Sequence, residues 1–245
     1  MSGRLVLATA RRVLAQLRAD PRTVALLLVV PLLLLLLLRY VFTSQPGVFD
    51  RVGAPLLGLF PFLTMFLVTS VAMLRERSSG TLERLLTTPL GKADLLLGYA
   101  LAFGLVAVVQ TVLACALALG PLGLDVAAGP VLVVVLAVLD ALLGTALGLL
   151  LSAFARTEFQ AVQFLPAFVL PQLLLCGLFA ARDTMAAPLR RLSTAFPLTY
   201  AVDGMQQLTA SASLSGDLVR DLVVVGCCSL AALALGAATL RRRTA

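Results

Sequence analysis

The chain reads as an all-α membrane protein with six transmembrane helices, and three observations predict it. Mean hydropathy is +1.04. Hydrophobic residues fill 60% of the 245 positions and charged residues only 13%, against about 25% charged in soluble domains. Apolar runs of roughly 20 residues, the length that crosses the hydrocarbon core, recur along the sequence with short polar connectors between them. A single transmembrane domain, 1–245, is the simplest division.

Residues 3–19 open the chain. Val6, Ala10, Val13, Leu14 and Leu17 share one helical face, and Arg4, Arg11 and Arg18 recur at seven-residue spacing on another, which predicts an amphipathic helix lying in the interface. A basic start before an apolar run also resembles a secretory leader, but no Ala-x-Ala-like site follows and the basic part is too long. The first span is expected at 23–42 with Pro31 inside it, and the second at 54–74 with Pro61. Both prolines are tolerable where neighbouring helices satisfy the freed carbonyls. Between them, 43–53 carries Pro46, Gly47 and Asp50 and reads as a polar connector. The third span is expected at 95–119 and the fourth at 131–154, separated by Gly120-Pro121-Leu122-Gly123. The fifth runs over 159–180, with Pro166 and Pro171 bending it. Residues 181–217 are too apolar for an ordinary loop and too broken for a span, so they read as re-entrant external helices before the last span at 218–240.

Six spans place both termini on one side. That side then collects Arg4, Arg11, Arg12, Arg18, Arg22, Arg75, Arg77, Arg84, Lys92, Arg156 and the terminal Arg241, Arg242 and Arg243. The other side keeps six of the 19 basic residues: Arg39, Arg51, Arg182, Arg190, Arg191 and Arg220. The positive-inside rule makes the first side, with both termini, cytoplasmic.

Composition narrows the chemistry. The sequence has no His, Trp or Asn, which removes His-based triads, His-ligated zinc sites and N-glycosylation acceptors. Cys115, Cys176, Cys227 and Cys228 lie in apolar stretches and read as small packing residues. The net charge of +7 fits cytoplasmic basic loops rather than nucleic-acid binding. No nucleotide site is present: Gly91-Lys92 is followed by Ala93, and Leu86 stands where a phosphate loop needs Gly.

Between the second and third spans lies the one charged island, Arg75-Glu76-Arg77 through Gly98. Thr81 to Leu86 presents Leu82, Leu85 and Leu86 on one side of a helix and Glu83 and Arg84 on another. Gly80 allows a turn at its start, Glu83 suits the helix N-terminus, and Pro89 stops it. Residues alone leave a lipid-facing interfacial helix or a plain loop open as alternatives. However, Arg75-Glu76-Arg77, Gly80-Thr81-Leu82-Glu83, Leu85-Leu86, Thr88-Pro89-Leu90 and Gly98 together resemble the signature of the type 2 export permeases of ATP-binding cassette (ABC) transporters, most closely the daunorubicin-resistance type. The resemblance implies that residues 76–90 form a coupling helix region docking on a separate ATPase subunit. It further implies two ATPases that bind ATP and Mg, a second permease copy or paralogue, and no cofactor or catalytic residue in this chain. Arg75, Glu76, Arg77, Gly80, Thr81, Leu82, Glu83, Arg84, Leu85, Leu86, Thr88 and Pro89 are its expected coupling residues. The setting it implies is a bacterial cytoplasmic membrane with lipids around the chain.

Polar groups inside the spans are the remaining candidates. Asp140, near the middle of the fourth span, costs about 2.5–3.5 kcal/mol on insertion scales unless compensated, and could line a path, carry a proton or hold helices together. Gly144 and Gly148 form a small-x-x-x-small pair that admits a close helix, which favours packing. Glu158, Gln160 and Gln163 open the fifth span, with Gln172 deeper and Gln110 in the third. The resemblance implies a route along a dimer axis lined by spans two and five. Phe60, Phe62, Phe66, Gln163, Phe164, Phe168 and Gln172 are then candidate lining residues, though a span Phe also packs or faces lipid. The expected function is ATP-driven export of an amphiphilic or hydrophobic compound: a drug, antibiotic or lipid-like molecule. The rivals are an ion-gradient transporter working through Asp140, and a sensing or scaffold subunit.

Overall fold

The computed structural model describes residues 2–80, 91–211 and 215–239. Every regular element among them is helical, and six helices are long and apolar enough to cross a membrane: Pro21–Val41, Gly47–Ser78, Lys92–Leu119, Pro130–Leu151, Glu158–Leu175 and Gly216–Thr239. In chain order they are α2 (Pro21–Val41), α3 (Pro46–Ser78), α4 (Lys92–Leu119), α5 (Pro130–Leu151), a broken fifth span, and α10 (Gly216–Thr239), preceded by α1 (Gly3–Ala19). The fifth span is α6 (Glu158–Phe164), a π-helical turn (Leu165–Val169) and α7 (Leu170–Leu175). Pro166 and Pro171 bring no N–H to the helical ladder, and a local change of pitch at such points is the usual response.

The second span is longer than its apolar stretch. Its helix begins at Pro46, inside the segment expected to be a connector, because Pro46 takes the first helical turn, where a missing N–H costs nothing. Phe49 is buried there and holds the extra turns in place, and the helix then continues past Leu74 to Ser78. At 33 residues and 1.5 Å per residue, α3 is about 50 Å long, well beyond the ~30 Å hydrocarbon core. Its end therefore has to project from the membrane.

Spans two and four form the centre. In each, 61% of the most apolar window is buried, against 17% for spans one and five. Along the seam Gly58 meets Asp140, Gly144 meets the Phe62 carbonyl, and Gly148 meets the Phe66 carbonyl and Thr69. Both series ascend in steps of four, so α3 and α5 run parallel, as the second and fourth spans of an alternating bundle must. Thr69 Oγ1 donates to the Met65 carbonyl at 2.7 Å and lies 3.3 Å from the Thr145 carbonyl. α10 and α4 pack on α5, and α2 lies across α3 and α4.

Between the fifth and sixth spans the chain is helical but short-stepped, with α8 (Ala187–Ser193) and α9 (Pro197–Ala210). α9 buries Leu198, Val202, Met205 and Leu208 against α3, α5 and α10. Arg182 pairs with Asp203 and donates to Ser193 Oγ at 3.3 Å, and Gln207 donates to Asp221 at 2.7 Å. The first two bonds brace the connector within itself, and the third ties it to α10. Gly177, at φ +94°, makes the turn that leaves the fifth span.

α1 lies along α4. A Cβ at Gly98 would sit 2.5 Å from Thr9 Cβ and 3.0 Å from the Val6 carbonyl, so glycine is what allows the two helices to touch. Ala10 and Val13 join Leu95, Leu96, Tyr99 and Phe103 in one cluster. α1 turns into α2 without a linker: Asp20 accepts from the Thr23 amide at 3.2 Å and the Thr23 hydroxyl at 2.6 Å. Those bonds hold the Asp20 carboxyl below its usual range.

Candidate functional site

Arg75, Glu76 and Arg77 occupy the last turn of α3. Successive helix positions point about 100° apart, so three adjacent side chains can reach three different neighbours. Arg75 grips Glu158, at the start of the fifth span, through Nε at 2.8 Å and Nη2 at 3.1 Å. Glu76 receives Arg12 of α1, Nη2 to Oε1 at 3.3 Å, with Gln16 Nε2 at 3.5 Å. Arg77 donates to the Ser152 carbonyl, just past α5, at 2.7 Å.

Arg12 is the branch point. Its Nη2 also donates to the Tyr99 hydroxyl at 2.8 Å, and its guanidinium sits 5.8 Å from the centre of the Tyr99 ring. One contiguous set of polar side chains thus connects α1, α3 and α4, while Arg75 and Arg77 connect α3 to α6 and α5. The energies differ. Arg75–Glu158 is open to solvent at 64% and 52% side-chain exposure and contributes little beyond orientation, ~0–1 kcal/mol. Arg12–Glu76 is more sheltered, at 29% and 11%, and it cannot be broken without leaving two half-buried charges.

After Ser79 the chain turns at Gly80, φ +70°. Thr81, Leu82, Glu83, Arg84, Leu85, Leu86, Thr88 and Pro89 lie outside the described residues. The chain is described again from Gly91. Asp94, in the first turn of α4 and buried, accepts from the Ser2 amide at 3.2 Å. Both ends of the charged island are therefore anchored to α1.

The intramembrane candidates separate into two groups. Phe62 and Phe66 are fully buried, because their backbones face the bare glycines of α5. Gln172 is also buried, its amide donating to the Phe168 carbonyl at 3.2 Å. Gln163 and Phe168 are exposed and Phe60 and Phe164 half-buried. Asp140 is 2% exposed. A Cβ at Gly58 would lie 2.8 Å from its Oδ2, and Oδ1 has no hydrogen-bond partner. Gln110 ties three spans, donating to the Leu27 carbonyl at 3.0 Å and to Thr64 Oγ1 at 2.7 Å. Among the described residues no three His, Cys, Asp or Glu side chains converge as a metal site.

An end of one span fastened to three other elements and, through Arg12, to α4, at the start of the charged island, is a place where force on that island would spread through the bundle. The sequence profile of the ABC-2 type transporter family matches residues 4–209, from α1 through α9. The chain belongs to the ABC-2 type transporter family. Among curated proteins it is similar to the probable multidrug ABC transporter permease YbhR of Escherichia coli K12, 28% identical over 153 residues, which cover 62% of this chain and 42% of that protein. It is similar also to the probable multidrug ABC transporter permease YbhS of the same strain, 29% identical over 159 residues, 64% of this chain and 41% of that one. The chain thus spans about two-fifths of the length of these ABC-2 relatives.

Arg12, Tyr99 and Ser152 were not singled out in the sequence. Arg12 carried a signal: it stands one residue off the Arg4, Arg11, Arg18 stripe, and so points elsewhere on the helix. Ser152 carried none, since its carbonyl does the binding.

Proposed function

We propose that this chain is the permease subunit of an ATP-driven exporter that moves an amphiphilic or hydrophobic compound outward across a bacterial cytoplasmic membrane. ATP and Mg belong to a partner ATPase, present twice beneath a pair of permeases, with both chain termini on the ATPase side. The supporting observation is the fan of Arg75, Glu76 and Arg77. A push received at residues 76–90 enters a long helix whose end is bonded to α1, α5 and α6 and, through Arg12, to α4, so the bundle responds as a unit rather than one span bending alone. The drug-like cargo rests on the similarity to multidrug permeases. For the route between two copies, the exposed or half-exposed Phe60, Gln163, Phe164 and Phe168 are the lining candidates, on the second and fifth spans.

The test is reconstitution of the chain with its ATPase in vesicles, reading ATP-dependent accumulation of ethidium. Transport should need both chains and ATP. Glu83→Lys should cut it at least roughly tenfold, the loss that ~1.4 kcal/mol of misplaced coupling would cause, with the protein still in the membrane. Transport by the permease alone, or normal transport by Glu83→Lys, would overturn the reading.

Asp140 gives a specific check on the ion-gradient alternative. With an unpartnered oxygen in the α3–α5 seam, it reads as a packing residue. Asp140→Asn, nearly isosteric, is expected to keep ATP-dependent transport within about twofold and to leave the melting temperature equal or higher, since no charge then needs burying. An ion-coupled carrier would lose transport altogether.

A further inference from the structure

We infer that the crevice between α1, α2 and α4 binds an acyl chain of an anionic phospholipid, with Arg11 and Arg18 holding its phosphate. The crevice has a volume of about 220 Å³ and is walled by apolar side chains only, among them Leu14 and Leu17 of α1, Leu27 and Leu28 of α2, and Val106 and Val109 of α4. That volume is below the ~300–1,000 Å³ of pockets for drug-sized ligands. It suits a length of hydrocarbon chain and not a folded cargo molecule. The walls also place it on the outer surface of the bundle, where α1 meets the first turns of α2, so lipid reaches it directly.

The charge comes from helix geometry. Leu14 lines the crevice, and its surface neighbours one turn away on either side, at i−3 and i+4, are Arg11 and Arg18. Arg11 and Arg18 are both exposed, and neither is in an ion pair with a described residue. Arg12, the next residue after Arg11, is turned away to Glu76. The edge of α1 that borders the crevice, next to Leu14, therefore carries two unneutralised guanidinium groups beside an apolar slot. A phosphodiester with an attached acyl chain meets both, and Arg is suited to phosphate through its planar fork of donors. A zwitterionic lipid would bring a cation to the same place. The inference needs the chain to be in a membrane but does not need it to be an exporter.

Native mass spectrometry of the full chain, equilibrated in detergent micelles with equimolar phosphatidylglycerol and phosphatidylcholine, reads the site without any transport assay. Phosphatidylglycerol adducts should exceed phosphatidylcholine adducts roughly tenfold, as two basic contacts near a membrane surface allow. The double substitution Arg11→Gln/Arg18→Gln should bring the ratio close to one. Arg190→Gln/Arg191→Gln, which removes the same charge from α8, should leave it unchanged, and Val106→Trp should lower retention of both lipids by filling the slot. Equal retention of the two lipids by the unmodified chain would overturn the inference. So would a preference that survives loss of Arg11 and Arg18, or retention untouched by Val106→Trp.

Discussion

Replacing Glu76 with Lys is expected to reduce ATP-driven transport at least tenfold while the chain still inserts with all six spans. Glu76 is the only described carboxylate on Arg12, and through Arg12 it reaches Tyr99. A lysine at 76 would set one cation against another across the 3.3 Å that the pair now spans. Near a protein surface, at an effective dielectric constant of about 20, a like pair at 4 Å repels by about 4 kcal/mol. Arg12 is 29% exposed, so screening and side-chain relaxation cut this to about 1–3 kcal/mol. That is enough to lift α1 from the end of α3 but not to open the α3–α5 seam, which shares no side chain with it. The melting temperature should fall slightly while transport collapses. The reversal Arg12→Glu/Glu76→Lys rebuilds the pair with its charges exchanged, and the Tyr99 hydroxyl, which now accepts from Arg12, can instead donate to the carboxylate on α1, so transport should return at least partly. Arg75→Ala, which breaks only a solvent-exposed pair, should cost far less. Full transport by Glu76→Lys, or no rescue in the reversal, would remove the fan at 75–77 from the coupling path.

The six spans were legible because run length and hydropathy are properties of the linear sequence. So was the pair Gly144 and Gly148, a spacing that admits a close neighbour whatever the neighbour is. Which helix fills that space was not, and the consequence fell on Phe62 and Phe66. The resemblance, with its route lined by spans two and five, made them lining candidates; in the protomer their carbonyls meet the two glycines and their rings are buried. The start of α3 was not legible, because Pro46 and Gly47 look like a turn. Proline in a first helical turn is equally natural, and burial of Phe49 decided between the two. At the candidate site, Arg75, Glu76 and Arg77 were visible as a charge cluster, but a cluster does not say whom it binds. Arg12 is 64 residues from Glu76 and 87 from Tyr99, and such pairings appear only once α1 lies on α4. Gly98 makes that contact possible, and its value in the motif is steric.

Larger side chains at Gly144 and Gly148 are expected to have the greatest effect on the fold itself. A Cβ at 144 would lie 2.3 Å from the Phe62 carbonyl oxygen, and one at 148 would lie 2.4 Å from the Phe66 carbonyl oxygen and 2.2 Å from Thr69 Oγ1. The first two obstacles are backbone atoms, which cannot rotate aside, so the helices must part. Parting them breaks van der Waals contact along the whole seam, and close packing rather than hydrophobic burial holds helices together in lipid. Even Gly144→Ala should destabilise by about 1–3 kcal/mol, and Gly144→Leu/Gly148→Leu by more. Melting of the purified protein in detergent should show a graded loss from Ala to Leu, and the double Leu variant should run as aggregate in size exclusion. Gly226, in the sixth span, has nothing within 4 Å of a Cβ. Gly226→Ala should therefore be neutral or stabilise by ~0.4–1 kcal/mol through the unfolded state. If Gly144→Ala melted like Gly226→Ala, the parallel contact between α3 and α5 could not be as close as the structure has it. Asp140, placed one step earlier on the same ladder, would then have no reason to face Gly58.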